Sequence, residues 1–408
     1  MGVDVRTRTD GPREPIDPGQ FFEVDLPHVM ACTTDLLAEA CEVLAPPPLV
    51  LEVANHHWGL AVSGGRVTLH PDPDVAHAGV RVRLDPGQLA DLIDDQVTPM
   101  GWFSSGRLDM DGRLERLLDW WLLIRGALDG VAPYVGGSLS FTGANASPID
   151  LGAPFSPDDD EDDMARFLEQ TGYLHIAGVF NEDEMAAVSA DMDRAAPSYS
   201  PGDGRSWWAR TSDGVERLVR MQGFDRMSES VRPLLADRRL TRLGSLTKDG
   251  HEWGAMDTNA IEALFKPIGV VEGISDVPWH KDCSLGRHSY ECCSLTVGIS
   301  VTGADATSGQ LRVVAGSHRT LIWPALLKRD NPLPVVDLPT STGDVTVHLS
   351  CTLHMAQPPV ERGRRVLYTG FRLPPLRPGD ADAARSRLRE VRESAAVTVS
   401  QPPSPLRR

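Results

Sequence analysis

GDVTVHLSCTLHMAQPPVERGRRVLYTGFRL, residues 343–373, contains two short strand-like runs, DVTVHL and RVLYTGFRL, with a histidine, His354, between them. Three earlier runs have the same character: IEALFKPI (261–268), CSLTVGISV (293–301) and GQLRVVAG (309–316). Each is a few residues long, apolar or alternating, and bounded by turn residues. Short strands at close spacing predict an antiparallel barrel or a double-sheet jelly roll rather than a parallel sheet. Upstream, MARFLEQTGYLHIAGVFNEDEMAAVSADMDRA (164–195) reads as helix, short strand, loop and helix. Asn181 followed by Glu184 predicts a capping box at the start of the second helix.

The strands give context to a second stretch, VPWHKDCSLG (277–286), where His280 and Asp282 stand two apart. A His-x-Asp triplet is weak by itself; ordinary composition supplies roughly one in a chain of this size. LHPDPD (69–74) contains another, His70 and Asp72, with nothing downstream to complete a site. The triplet at 280 has partners. His354 follows Asp282 by 72 residues, and Arg365 follows His354 by eleven. His348 is an alternative to His354, and Arg364 competes with Arg365, because strand alternation turns only one of the two inward.

The whole chain bounds the possible functions. It has 408 residues, enough for two or three domains, and a formal charge of -17. That acidic balance argues against nucleic acid or an anionic membrane as a partner. No apolar run reaches the ~20 residues needed to cross a bilayer, and the start lacks a secretory h-region. The six cysteines form no C-x-x-C pair and read as free thiols of a reducing, cytoplasmic protein.

Composition divides the chain as follows. Residues 1–19 are expected to be disordered. A first domain runs over 20–130, a Gly-, Pro-, Ser- and Asp-rich linker over 131–163, a second domain over 164–376, and a short helix with a disordered tail over 377–408. The acidic run 158–163 favours the N-terminus of the next helix. In the first domain, WGLAVSGGRVTLHPD reads as a hairpin turning at Gly64-Gly65, and Val80, Val82 and Leu84 share one strand face. RLERLLDWWLLIRGALDG carries an apolar helical stripe, Leu114, Leu117, Leu118, Trp121, Leu122 and Leu128, which Gly130 stops. The long polar segment 197–225, with Trp207 and Trp208, reads either as a lid over a site or as a surface segment pinned by a buried Trp.

Two family resemblances follow from these motifs. VRLDPGQLADLIDDQVTPMGWFSSGRLDMDGRLERLLDWW (82–121), after a helix and antiparallel strands, resembles the sterol carrier protein type 2 superfamily, which implies a smaller N-terminal α+β lipid-binding-like domain. FLEQTGYLHIAGVFNEDEM (167–185), SGQLRVVAGSHR (308–319) and GDVTVHLSCTLHMAQPP (343–359) resemble the phytanoyl-CoA dioxygenase family of iron(II)- and 2-oxoglutarate-dependent oxygenases. The implied fold class is α+β, with a C-terminal double-stranded β-helix (jelly roll) and flanking helices. The resemblance implies His280, Asp282 and His354 as Fe(2+) ligands and Arg365 as the clamp on 2-oxoglutarate, with O2 as the oxidant. The expected reaction is hydroxylation of a small, apolar or lipid-like molecule, or an acyl thioester, with release of succinate and CO2. The competing reading is a non-catalytic lipid-binding protein with a degenerate oxygenase domain; a zinc hydrolase is a third. This sequence departs from the family at Ser308, Ala315, Gly298 (a bulky aromatic in many relatives), Ala356 and the MAQPPVERG turn. In the family His318 is structural, and His175 reads as a packing residue.

Overall fold

The computed structural model describes residues 16–71, 78–94, 98–99, 102, 108–130, 132–133, 139–143, 145–248, 250–253, 261–273, 275, 279–282, 294–319 and 333–372. Asp72, Cys283, Cys292, Cys293, His288, Tyr290 and the expected helix near 381–392 lie outside them.

The N-terminal unit is a five-stranded sheet covered by helices. Its strands are β1 (Leu49–Val53), β2 (His56–Ser63), β3 (Arg66–Pro71), β4 (Val80–Leu84) and β5 (Asp109–Gly112), in the order β3-β2-β1-β4-β5. The expected hairpin forms, with Gly64 and Gly65 at positive φ. The expected antiparallel strands are corrected at one pair: β1 and β4 run parallel, while the other pairings of this sheet are antiparallel. The helices are α1 (Leu26–Cys32), α2 (Thr34–Leu44), α3 (Pro86–Ile93) and α4 (Leu114–Asp129). A capping box between Asp85 and Gln88 starts α3. The buried Arg125 of α4 donates to the carbonyls of Leu92 and Ile93 and so satisfies the end of α3. Leu117, Leu118, Trp121 and Leu122 bury as the helical stripe requires, against Leu49, Leu51, Val82 and Leu84. Helical turn begins at Pro18, capped by Asp17, inside the stretch expected to be disordered.

The second unit is built on two sheets. Its strands are β6 (Tyr173–Ile176), β7 (Ser206–Thr211), β8 (Glu216–Met221), β9 (Glu252–Trp253), β10 (Glu262–Lys266), β11 (Val270–Glu272), β12 (Ser294–Ser300), β13 (Leu311–Val314), β14 (Val335–Leu338), β15 (Val345–Leu349), β16 (His354–Ala356) and β17 (Arg364–Arg372). Nine form one sheet, ordered β11-β7-β8-β10-β17-β12-β15-β6 with β9 beside β17; three form the other, β14-β13-β16. All the pairings in these two sheets are antiparallel, and over β12 to β17 the chain passes from the large sheet (β12) to the small (β13, β14) and back (β15), then again to the small (β16) and the large (β17), as in a double-stranded β-helix. The fold is therefore the expected jelly roll.

Two helices cover the outer face of the large sheet: α5 (Glu161–Thr171) and α6 (Glu182–Ala195). Asp160 caps α5 and Glu161, Asp162 and Asp163 fill its first turn, the use expected for the acidic run. The Asn181–Glu184 capping box opens α6. Met164, Leu168, Met185, Val188 and Met192 pack with Leu295, Val297, Ile299, Leu367 and Phe371. The stretch read as a linker contributes to this core: Phe141, Ile149, Leu151 and Phe155 pack against it, and Phe155 bridges Ile176. The segment 197–225 carries two strands. Its alternating residues form the β7–β8 hairpin at the sheet's extension, where Arg220 lies 4.4 Å over Trp207 and pairs with Glu262.

Candidate metal centre

The register of β12, β15 and β17 fixes which residues face the barrel interior. Leu295, Val297 and Ile299 pair with Phe371, Thr369 and Leu367, and belong to the helix-covered face. Thr296, Gly298, Thr346, His348, Val366 and Tyr368 occupy the opposite, inner face.

His280, Asp282 and His354 meet at one end of that face. One ligand atom from each lies within 4.8 Å of the others. Asp282 Oδ1 stands 3.4 Å from His280 Nε2 and 3.8 Å from His354 Nε2. Backbone bonds hold the two histidines together: each N–H donates to the other's carbonyl at 2.9 Å. His354 Nδ1 donates to the Thr352 carbonyl at 2.8 Å, which leaves Nε2 as the lone-pair atom turned to the cluster. Asp282 Oδ2 accepts from the Thr296 hydroxyl at 3.2 Å. Between the two ligand positions, Lys281 points elsewhere; it is buried and donates to the Ser317 carbonyl at 3.0 Å. Ser317 in turn donates to the Val314 carbonyl and accepts from Leu353 N–H, so the Gly-Ser-His turn anchors both halves of the cluster. His318 holds the Glu169 carbonyl and takes no place in it.

The electrostatics suit a cation. Desolvation opposes charge on Asp282, but His354, His280 and His348 outweigh it and hold its carboxyl well below the usual carboxylate range. Burial, with repulsion from His280 and His348, holds the His354 imidazole well below its ordinary value, so it is neutral near pH 7. Two imidazoles and one carboxylate are a donor set that fits ferrous iron.

Arg365 is not where the sequence spacing placed it. It shares the outer face with Leu367, where its guanidinium meets Asp193 at 2.8 Å and the Ser189 carbonyl at 2.9 Å, both on α6. The adjacent Arg364 is the arginine on the inner face. It is 6% exposed, and its Nε and Nη2 atoms have no hydrogen-bond partner. Counting the strand's two-residue period back from Leu367 and Phe371 finds this; counting from His354 does not. Gly298 also has a physical reason. A Cβ there would come within 3.0 Å of the Tyr368 ring and 2.9 Å of Thr346 Oγ1, so the aromatic volume comes from the neighbouring strand. His348, 2% exposed, stands beside the cluster without joining its donor set. His70 is exposed and bonded to Thr68, away from any such cluster. His175 pairs with Asp344 at 3.0 Å. A cavity of about 570 Å³, lined by Leu218, Phe265, Lys266, Arg364 and Arg365 among others, opens over β8, β10 and β17 and does not include the cluster.

A double-stranded β-helix with His-x-Asp and a distal histidine at one end of its inner face is the arrangement that the resemblance to iron- and 2-oxoglutarate-dependent oxygenases implied. Residues 168–366 match the phytanoyl-CoA dioxygenase family (PhyH), and residues 42–143 match the SCP-2 sterol transfer family. Similar solved structures include the epimerase SnoN in complex with Fe3+, alpha ketoglutarate and nogalamycin RO, at 18% identity over 52% of this chain and 83% of that one, TM-score 0.41. AviO1 from Streptomyces viridochromogenes Tue57 is 22% identical over 54% of this chain and 98% of its own, TM-score 0.41. The carbocyclase SnoK from nogalamycin biosynthesis is 20% identical over 57% and 93%, TM-score 0.42. No curated protein sequence matches the chain. Among the described residues, no helix is long and apolar enough to cross a membrane.

Proposed function

We propose that the chain is an iron(II)- and 2-oxoglutarate-dependent dioxygenase that hydroxylates a small, apolar or lipid-like molecule. The observation that carries this is the convergence of His280 Nε2, Asp282 Oδ1 and His354 Nε2 in a jelly roll. These three would hold the ferrous ion. Bound there, iron would couple decarboxylation of 2-oxoglutarate to succinate and CO2 with oxidation of the substrate by O2. Arg364 takes the role expected of Arg365. Its partnerless, buried guanidinium on the inner face suits the far carboxylate of 2-oxoglutarate by a charge-assisted pair. Tyr368, Val366 and Thr346 occupy the strip between the arginine and the histidines.

The N-terminal unit fits the substrate class only after rearrangement. Its apolar cavity, lined by Phe22, Leu51, Leu92, Trp121 and neighbours, has a volume of about 40 Å³. Drug-sized ligands occupy roughly 300–1,000 Å³, so an acyl chain must displace Trp121 or Phe22 to enter. Anaerobic addition of Fe(II) and 2-oxoglutarate to the full chain should give a visible metal-to-ligand charge-transfer band. A screen of candidate substrates should then raise succinate release with one of them, whose product gains a single oxygen atom. No band and no succinate would leave the non-catalytic lipid-binding reading. Succinate with a product that gains no oxygen would replace hydroxylation by another oxidation at the same site.

A further inference from the structure

His348 has no use in that scheme, and its surroundings are unusual. The side chain is 2% exposed on β15, and neither ring nitrogen has a hydrogen-bond partner. Buried polar atoms are nearly always paired, so an imidazole left bare on both nitrogens calls for a partner that arrives with a ligand or a small movement. One such partner is near. His348 Nε2 lies 3.6 Å from Asp282 Oδ2, a few tenths of an ångström beyond hydrogen-bond reach. The His348 and His354 ring centroids are 4.2 Å apart. His348 is nevertheless outside the group of three donors that converge on one point.

The two oxygens of Asp282 therefore have different company. Oδ1 faces the imidazoles of His280 and His354. Oδ2 faces the Thr296 hydroxyl and His348 Nε2. Thr296 and His348 are paired residues on neighbouring strands, so both donors stand on one side of the carboxylate. We propose that His348 is a positioning residue: its Nε2–H, with the Thr296 hydroxyl, holds Oδ2 of Asp282 away from the metal and confines the carboxylate to single-oxygen ligation. Without that restraint the carboxylate can turn both oxygens to the metal and occupy a position that 2-oxoglutarate needs. Outer-shell donors act in this way on ligating carboxylates generally. The inference rests on the reading of His280, Asp282 and His354 as metal ligands.

Cobalt(II), a redox-stable probe, separates the two claims when titrated into the full chain with its visible d–d absorption as the readout. His354→Ala should lose cobalt binding; retained binding would overturn the metal-site reading and this inference with it. His348→Phe fills the same space without a donor. It should still bind cobalt, with affinity for the metal or for subsequent 2-oxoglutarate lowered about 10–100-fold. His348→Gln, whose amide nitrogen reaches the Nε2 position, should recover most of the loss. His348→Asn, whose amide falls short of it, should not, and this pair decides the matter if the Phe variant fails to fold. A Phe variant equal to wild type, or Asn equal to Gln, would reduce His348 to packing. A Phe variant that binds no cobalt would make His348 a ligand. Either result overturns the proposal.

Discussion

Two neighbouring arginines stand in opposite surroundings because a strand turns successive side chains to opposite faces. Arg365 lies on the helix-covered side and pairs with Asp193, whose side chain is largely exposed. Exposed pairs of this kind are worth about 0–1 kcal/mol. Arg365→Ala should cost little stability and leave 2-oxoglutarate binding close to wild type. Arg364 has the buried, partnerless guanidinium. Removing one member of a buried charge pair costs about 3–5 kcal/mol, so Arg364→Ala should weaken 2-oxoglutarate at least about a hundredfold while metal binding survives. Arg364→Lys should restore part of the loss, since it keeps charge but not the two-pronged geometry. Anaerobic titration of 2-oxoglutarate into the iron-loaded variants measures this, and a large loss confined to Arg365→Ala would reverse the assignment. The types and order of His280, Asp282 and His354 were legible in the sequence, because metal chemistry restricts residue identity. The inward arginine was not legible from spacing, because the turn 357–363 decides the strand's phase. His348 was visible as a histidine on a strand, but its orphaned nitrogens appear only once the neighbouring rings are placed.

At the scale of elements, the Gly-Asp pair that begins β15 shows how a motif seats a site without touching it. Gly343 has φ 85°, and a Cβ there would meet the Phe180 carbonyl at 1.8 Å. The Asp344 carboxylate accepts from the backbone N–H groups of Gly178 and Ser341, both at 2.8 Å, and from His175 at 3.0 Å. These contacts tie β15, and so His348, to the loop before α6. Burial opposes charge on Asp344, but His175 and the two N–H groups outweigh it and hold the carboxyl below its ordinary value. A carboxyl depressed below its unfolded pKa of about 3.9 stabilises the fold fully at pH values above that figure. The contribution is lost as pH falls through the folded pKa. Asp344→Asn should therefore cost about 3 kcal/mol at pH 7 and flatten the acid limb of the stability curve. Denaturant melts of both proteins between neutral and acid pH test this; an unchanged acid limb would remove Asp344 from the account. The strands and the Asn181–Glu184 capping box were readable because period and caps are local. The parallel β1–β4 pairing was not, since it depends on a connection that carries no periodic signal.

On the scale of the molecule, we propose that the boundary between units falls earlier than composition indicates. Pro, Gly and Ser between 131 and 163 read as linker because the apolar residues there are few and irregularly spaced. Four of those few pack on the jelly-roll core: Phe141, Ile149, Leu151 and Phe155. Backbone and side-chain bonds reinforce them. Phe155 N–H donates to the His175 carbonyl, the Tyr173 hydroxyl donates to the Leu151 carbonyl at 2.6 Å, and Thr142 exchanges bonds with Gln170. Among the described residues the two hydrophobic cores have none in common, so we propose that each unit folds separately, with the second beginning near residue 139. Full burial of a large apolar side chain is worth about 1.5–3 kcal/mol, and these four are partly buried. Losing them removes about 4 kcal/mol from a domain whose whole stability is of order 5–15 kcal/mol. A chain truncated to begin at Ser156, where composition alone would cut, should aggregate or melt well below the native protein. A chain beginning at residue 139 should be soluble, bind cobalt(II) and decarboxylate 2-oxoglutarate slowly without substrate. If both truncations behave alike and well, the segment 139–155 is ornamental. If both fail, the jelly roll depends on the N-terminal unit, and the two are a single folding body.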